Sequence, residues 1–244
     1  MSVFPMQQTQ SSSTLVNWIG YLAITLLVTL PLAVLTVRAG AWQQGLLLYA
    51  LSCLGATILL GLSLLLMMMP GFAAQRRALA SRAQFTRPGV LLLLMLLGGR
   101  GDYPPIHDIS TDTIDPPQFS AALERRGRDS NSLEIDPEVV SAQLQAYPDI
   151  VTLVTPQSLE LAYSRALNAA HQLGWEVYRD DLNAGYIEAV DSTAIMGFKD
   201  DVVIRVRTNA DGTILDIRSV SRVGVSDLGA NAARIRRFID EFNK

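Results

Sequence analysis

Hydrophobic and polar positions divide this chain into two materials. In the first hundred residues the apolar positions come in long runs, and residues 15–37 and 45–69 are each long enough to cross a hydrocarbon layer of about 30 Å as a helix. A third run, GVLLLLMLLGG at residues 89–99, is short for a span and admits three readings: a third crossing when extended back to residue 85, with Arg87 snorkelling to the interface, an interfacial or re-entrant segment, or a core element of the following domain; the first is favoured. Past residue 150 the pattern switches to helical spacing and alternation. Leu159, Ala162, Tyr163, Ala166, Leu167, Ala170 and Leu173 share one helical face, with Thr155-Pro156 as the start signal and Gly174 as the stop.

Four β-like runs follow, over residues 175–179, 186–191, 201–207 and 213–221. They pair as two hairpins around DDLNAG and residues 208–212. In the second hairpin Val202, Ile204, Val206, Leu215 and Ile217 alternate with Arg205, Arg207, Asp216, Arg218 and Arg222, giving an apolar core face and a charged outer face. A four-residue turn at 209–212 sets Arg205 opposite Asp216, whereas a two-residue Asp-Gly turn sets it opposite Arg218; charge favours the first register. A last helix carries Leu228, Ala232, Ile235, Phe238, Ile239 and Phe242 on one face, with Ser226 or Asp227 as N-cap. The expected fold is therefore N-terminal transmembrane helices followed by an α+β domain, a four-stranded, mostly antiparallel sheet with two helices on one face.

The domain plan has four parts. Residues 1–14 are a polar lead without the basic n-region of a cleavable signal, expected to be disordered. Residues 15–99 form the membrane segment, 100–149 an extended Pro-rich connector and 150–244 the α+β domain. Residues 1–99 hold no Asp or Glu and only Arg38, Arg76, Arg77, Arg82 and Arg87, so the remainder carries fifteen basic against twenty-three acidic residues, a net near −8. That balance excludes a nucleic-acid binder, which needs a basic surface. By the positive-inside rule the four-arginine loop after Pro70 lies in the cytoplasm, and a third crossing then delivers the domain outside it. The expected location is the bacterial inner membrane with a periplasmic C-terminal domain. Cys53, the only cysteine, permits no intrachain disulfide.

Candidate chemistry is sparse. His107, Asp108 and Asp112 sit close together in the connector and are weak metal candidates; with a single His and no second imidazole, turn-capping by the acids is the better account. The same His107 with Asp108, Asp112, Asp200 or Asp201 would be the basis of a metal-dependent hydrolase, the least favoured function. A ligand site is the stronger alternative. Gly224 and Gly229 bracket a loop entering the last helix, whose free N–H groups attract anions, and Arg218, Arg222, Arg234, Ser226 and Asp227 surround it. The competing account has Asp227 accepting these arginines and fixing the strand-to-helix corner. Walker and dinucleotide spacings are missing, so no cofactor is expected.

RSVSRVGVSDLGANAARI at residues 218–235, preceded by GFKDD and DDVVIRV and, further back, by PPIHDISTD, resembles the domain of unknown function family 1499 of bacteria and plant plastids. The resemblance runs from Tyr103 to the C-terminus. It implies membrane helices ahead of the domain, and it brings no agreed activity and no catalytic residues. The resulting expectation is an anchored protein, leaning away from catalysis, with a structural or partner-binding domain at the membrane surface. The membrane, envelope or membrane-complex proteins, or an anionic ligand such as a lipid headgroup are its expected partners.

Overall fold

Two units of the chain, Met1–Gly99 and Arg100–Lys244, each hold together by their own packing in the computed structural model, which describes residues 14–98, 101–210 and 212–244. The polar lead expected at residues 1–14 lies outside the described residues except for Thr14, which opens the first helix.

In the first unit α1 (Thr14–Arg38) and α2 (Trp42–Met68) are both long and apolar enough to cross a membrane. Small residues let them approach: a Cβ added at Gly45 would stand 2.8 Å from the Ala33 carbonyl oxygen, and Thr29 and Ser52 share a hydrogen bond of 2.7 Å between the helices. The expected arginine loop after Pro70 is instead mostly helical. A 3₁₀ segment (Pro70–Gln75) leads into α3 (Arg76–Ala83), a second 3₁₀ turn (Gln84–Thr86) and α4 (Arg87–Gly98). The buried positions Leu79, Ala83, Thr86 and Gly89 recur every three or four residues straight through the break, so one stripe packs inward along the whole stretch. Arg82 Nη2 donates to Asn17 Oδ1 on α1 at 2.6 Å. A Cβ at Gly89 would lie 2.8 Å from the Ala56 Cβ on α2, which explains a glycine there.

The second unit is built on one antiparallel sheet. It has six strands, not the expected four: β1 (Asp108–Ser110), β2 (Leu153–Thr155), β3 (Glu176–Asp181), β4 (Tyr186–Ser192), β5 (Lys199–Asn209) and β6 (Gly212–Ser221), in the order β1-β6-β5-β4-β3 with β2 also on β6. The two extra strands are three residues each, too short for alternation to reveal, and they share the outer edge of β6 end to end: Ile109 pairs with Ser219, and Val154 with Ile214. Arg205 pairs with Asp216, the register that charge favoured; Asp211 of that turn lies outside the described residues.

Val202, Ile204, Val206, Leu215 and Ile217 meet side chains of α7 (Leu159–Gln172) and α8 (Ala230–Phe242) in the main core, where Trp175 stacks on Phe238 at 5.5 Å. Helix α7 starts later than expected because Thr155 is held in β2 opposite Thr213; Ser158 is the N-cap instead, accepting from the Leu161 N–H. Gly174, at φ 76°, follows its last turn. Leu228 falls outside α8, with φ 53° and its side chain exposed.

Residues 100–149, expected as a connector, enter the sheet as β1 and add α5 (Ala122–Arg125) and α6 (Pro137–Ala146). Ile106, Ile109, Phe119 and Ala122 of this arm are buried. Asp136 caps α6 by accepting from the Glu138 N–H at 2.8 Å, with Pro137 in the first turn.

Candidate functional site

The alternation in β4, β5 and β6 sends Glu188, Asp201, Val203, Arg205, Asp216, Arg218 and Val220 to the face opposite the main core. The sequence casts this as an exposed charged surface. It is closed instead: Glu188, Asp201, Asp216 and Arg218 have no accessible surface, because the 101–135 arm lies across them. Buried charge is costly unless paired and hydrogen-bonded, and the arm supplies the partners.

Arg218 donates through Nε and Nη2 to both oxygens of Asp108 at 2.9 and 2.6 Å, a bidentate pair. Its Nη2 also reaches the Leu133 carbonyl, and its guanidinium stands 5.5 Å over the Phe119 ring. Arg205 donates to Asp115, Asp112 and Asp216, and Arg207 to the latter two. Asp112 also accepts from the backbone N–H groups of Ile114 and Asp115, the turn-capping role foreseen for the connector acids. Asp201 receives Arg222 through two bonds at 2.9 and 2.7 Å, together with Arg126 and the Tyr178 hydroxyl.

Glu188 has the densest set of donors. It accepts from the Ser120 N–H and hydroxyl, from the Ala121 and Ala122 N–H groups, and from Arg179. Burial alone would raise its pKa, but these bonds outweigh burial and hold the carboxyl below its ordinary value.

The residues proposed for an anion site are not gathered around one point. Arg218 serves Asp108, Arg222 serves Asp201, and Arg234 is taken by Asp191 and Asp200 on the α8 side of the sheet. Asp227 does not receive the arginines. Its own carboxylate accepts from the N–H groups of Gly229 and Asn231, both at 2.8 Å, and so occupies the N-terminus of α8 where an anion would sit. Burial pushes this carboxyl above its ordinary value, against the pull of those two N–H donors. Ser226 Oγ accepts from the Leu228 N–H, and the Gly224 carbonyl accepts from the Asn131 side chain.

The metal candidates are likewise committed elsewhere: Asp108 to Arg218, and Asp112 to Arg205 and Arg207. Among the described residues no three His, Cys, Asp or Glu are placed to hold a metal ion. Asp200 and Asp201 are the second and third residues of β5, buried on opposite faces of the sheet. A cavity of about 10 Å³ beside Asp108, Gln143 and Arg218 has room for roughly one water.

Arg126, Glu188, Arg179 and Gln143 escaped the sequence reading, although they complete the network. A usable signal was present, since PPIHDISTDTIDPP brings three acids against the arginines on β5 and β6.

The model of the family described as protein of unknown function, DUF1499, matches residues 108–242. No curated protein matches the chain.

Proposed function

The chain belongs to the DUF1499 family, and from that premise we propose that it is a membrane-anchored protein whose α+β domain is a non-catalytic, partner-binding module. The observation that carries this reading is the internal pairing of Arg205, Arg218, Arg222 and Arg234. Each is at least half-buried and bonded to an acid of the same domain, so these groups hold the arm and α8 in place. In this reading α7 and α8 roof one face of the sheet and the arm closes the other, leaving the outer surface for recognition by membrane-complex or envelope proteins.

The anchor crosses the membrane three times in this account. The third crossing is the stretch from residue 85 to 98, with Arg87 snorkelling to the interface; α4 rises about 18 Å at 1.5 Å per residue, a short crossing for a hydrocarbon layer of about 30 Å. The continuous stripe of Leu79, Ala83, Thr86 and Gly89 supports a helical stretch packed within this unit rather than a free loop. The four arginines from Arg76 to Arg87 support a cytoplasmic position for the start of this crossing by the positive-inside rule, with Arg38 on the far side. The domain then lies outside the cytoplasm, in the periplasm of a bacterial inner-membrane protein.

Arg222→Ala distinguishes a structural corner from an anion site. The expected result is a melting temperature lowered by several degrees and, in the parent protein, no stabilisation by inorganic phosphate. A phosphate-dependent rise in the parent, abolished in a variant of unchanged stability, would overturn the structural assignment.

A further inference from the structure

Charge in the first unit has one sign. Residues 1–99 hold five arginines and no Asp or Glu, and four of the five, Arg76, Arg77, Arg82 and Arg87, follow one another closely in the chain. Two of them are fixed at the end of the helix pair where α1 begins and α2 finishes. Arg76 Nε donates to the Met67 carbonyl in the last turn of α2 at 2.8 Å. Arg82 Nη2 donates to Asn17 Oδ1 near the start of α1, and its stem lies across Gly20, where an added Cβ would stand 2.8 Å from the arginine Cδ. Both of these acceptors are neutral. Arg77 and Arg87 are exposed, and their side chains have no bonding partner among the described residues. The opposite end of the helix pair, where α1 turns into α2, carries Arg38 alone. No carboxylate of this unit can neutralise the four cations, so their counter-charge comes from outside it.

The surroundings give the chemistry of that counter-charge. Trp18 and Tyr21 lie on the same two turns of α1 as Asn17 and Gly20, meet edge to face with ring centroids 6.0 Å apart, and are 59% and 63% exposed. Such a pair suits the headgroup layer of a bilayer, where a ring with an apolar body and a polar tip is at home. Further along the helices from this end, Leu22 and Ile24 on α1 and Leu64 and Leu65 on α2 are exposed. Cations, amphipathic rings and apolar surface thus follow one another along the same helices, as phosphate and acyl chain follow one another in a phospholipid. A soluble anion would match the arginines and leave the rings and the apolar surface unmet.

We propose that Arg76, Arg77, Arg82 and Arg87 form a binding surface for anionic phospholipid, in which Arg77 and Arg87 take the lipid phosphates while Arg76 and Arg82 fix the segment to α2 and α1. The proposal rests on the reading of residues 14–98 as a membrane anchor. Each free guanidinium presents a planar fork of donors to two phosphate oxygens, and an anionic headgroup adds the net charge that a zwitterionic one cancels with its own ammonium. The contact is therefore selective for headgroup charge and weakened by salt.

The test uses the full chain in a neutral detergent, mixed with phosphatidylglycerol, with phosphatidylcholine or with inorganic phosphate, and reads the melting temperature. The expected result is a rise at least about 4 °C larger with phosphatidylglycerol than with phosphatidylcholine, no rise with inorganic phosphate, and loss of most of the difference in about 0.5 M salt. Arg77→Gln/Arg87→Gln is expected to melt like the parent in phosphatidylcholine, since neither side chain has an internal bond to lose, and to forfeit at least about half of the phosphatidylglycerol rise. Arg77→Lys/Arg87→Lys, which keeps both charges, and Arg38→Gln, at the opposite end, retain most of it. Equal effects of the two lipids would overturn the proposal. So would a rise that survives Arg77→Gln/Arg87→Gln, or one that the lysine or Arg38 variants lose as fully. A rise with inorganic phosphate alone would overturn the lipid as occupant. Retention of the chain in membranes washed with alkaline carbonate reads the anchor separately. A retained chain with no preference for phosphatidylglycerol overturns the lipid surface and leaves the anchor standing, whereas a released chain overturns the anchor and the lipid surface with it.

Discussion

Glu188 illustrates how single residues close this domain. Its carboxylate holds three successive backbone N–H groups at the start of α5, and Arg179 is the counter-charge. Because its folded pKa lies below the ordinary 4.5, its stabilisation is complete at neutral pH and fades as pH falls through 4.5 toward the folded value. Glu188→Gln is expected to cost about 2–3 kcal/mol at pH 7, with the gap narrowing below pH 4.5 in paired denaturation curves. A constant gap across that range would show that the charge is not what matters. Arg218→Lys is predicted to destabilise by about 3 kcal/mol or more, since one ammonium replaces neither the bidentate grip on Asp108 nor the bond to the Leu133 carbonyl. Equal stability of parent and Arg218→Lys in urea would contradict that assignment. The arginines and their alternation in β5 and β6 were legible from the sequence, as was the pairing of Arg205 with Asp216. Their other partners were not. Asp108 lies 110 residues from Arg218, and alternation cannot distinguish a solvated polar face from one covered by a distant segment.

Among the elements, β1 shows how a three-residue strand survives at a sheet edge. The Gln143 amide on α6 accepts from the Ser110 N–H at 2.9 Å and donates to the Ser110 carbonyl at 2.6 Å, taking the place of a neighbouring strand. Gln143→Leu removes both bonds and should cost about 2 kcal/mol, with faster hydrogen exchange at Ser110. Unchanged exchange there would remove Gln143 from this role. Helix α7, both hairpins and α8 could be read from apolar spacing and from the turn and capping residues. Helix α6 was missed although Asp136-Pro137 carries its start signal, because its apolar face is short; β1 and β2 gave no periodic signal at all. In the first unit, arginines hid helical structure. Arg76, Arg77 and Arg82 argue for a loop by composition, yet the inward stripe from Leu79 to Gly89 is continuous. Gly89→Leu should disrupt the packing of α4 on α2, measured as a lower melting temperature of the detergent-solubilised chain; an unaltered melt would separate the two helices.

For the whole molecule we propose a three-traverse anchor followed by a domain whose buried charges are paired internally. Composition already divided the chain, with acids confined to the second part, and the two compact units follow that division. The side of the membrane depends on whether the stretch from residue 85 to 98 crosses it. Paired fusions of alkaline phosphatase and a fluorescent protein after Lys244 measure this most directly. The account predicts phosphatase activity without fluorescence, placing the domain outside the cytoplasm. Fluorescence without phosphatase activity would contradict it, leaving two crossings and a domain that faces cytosolic partners.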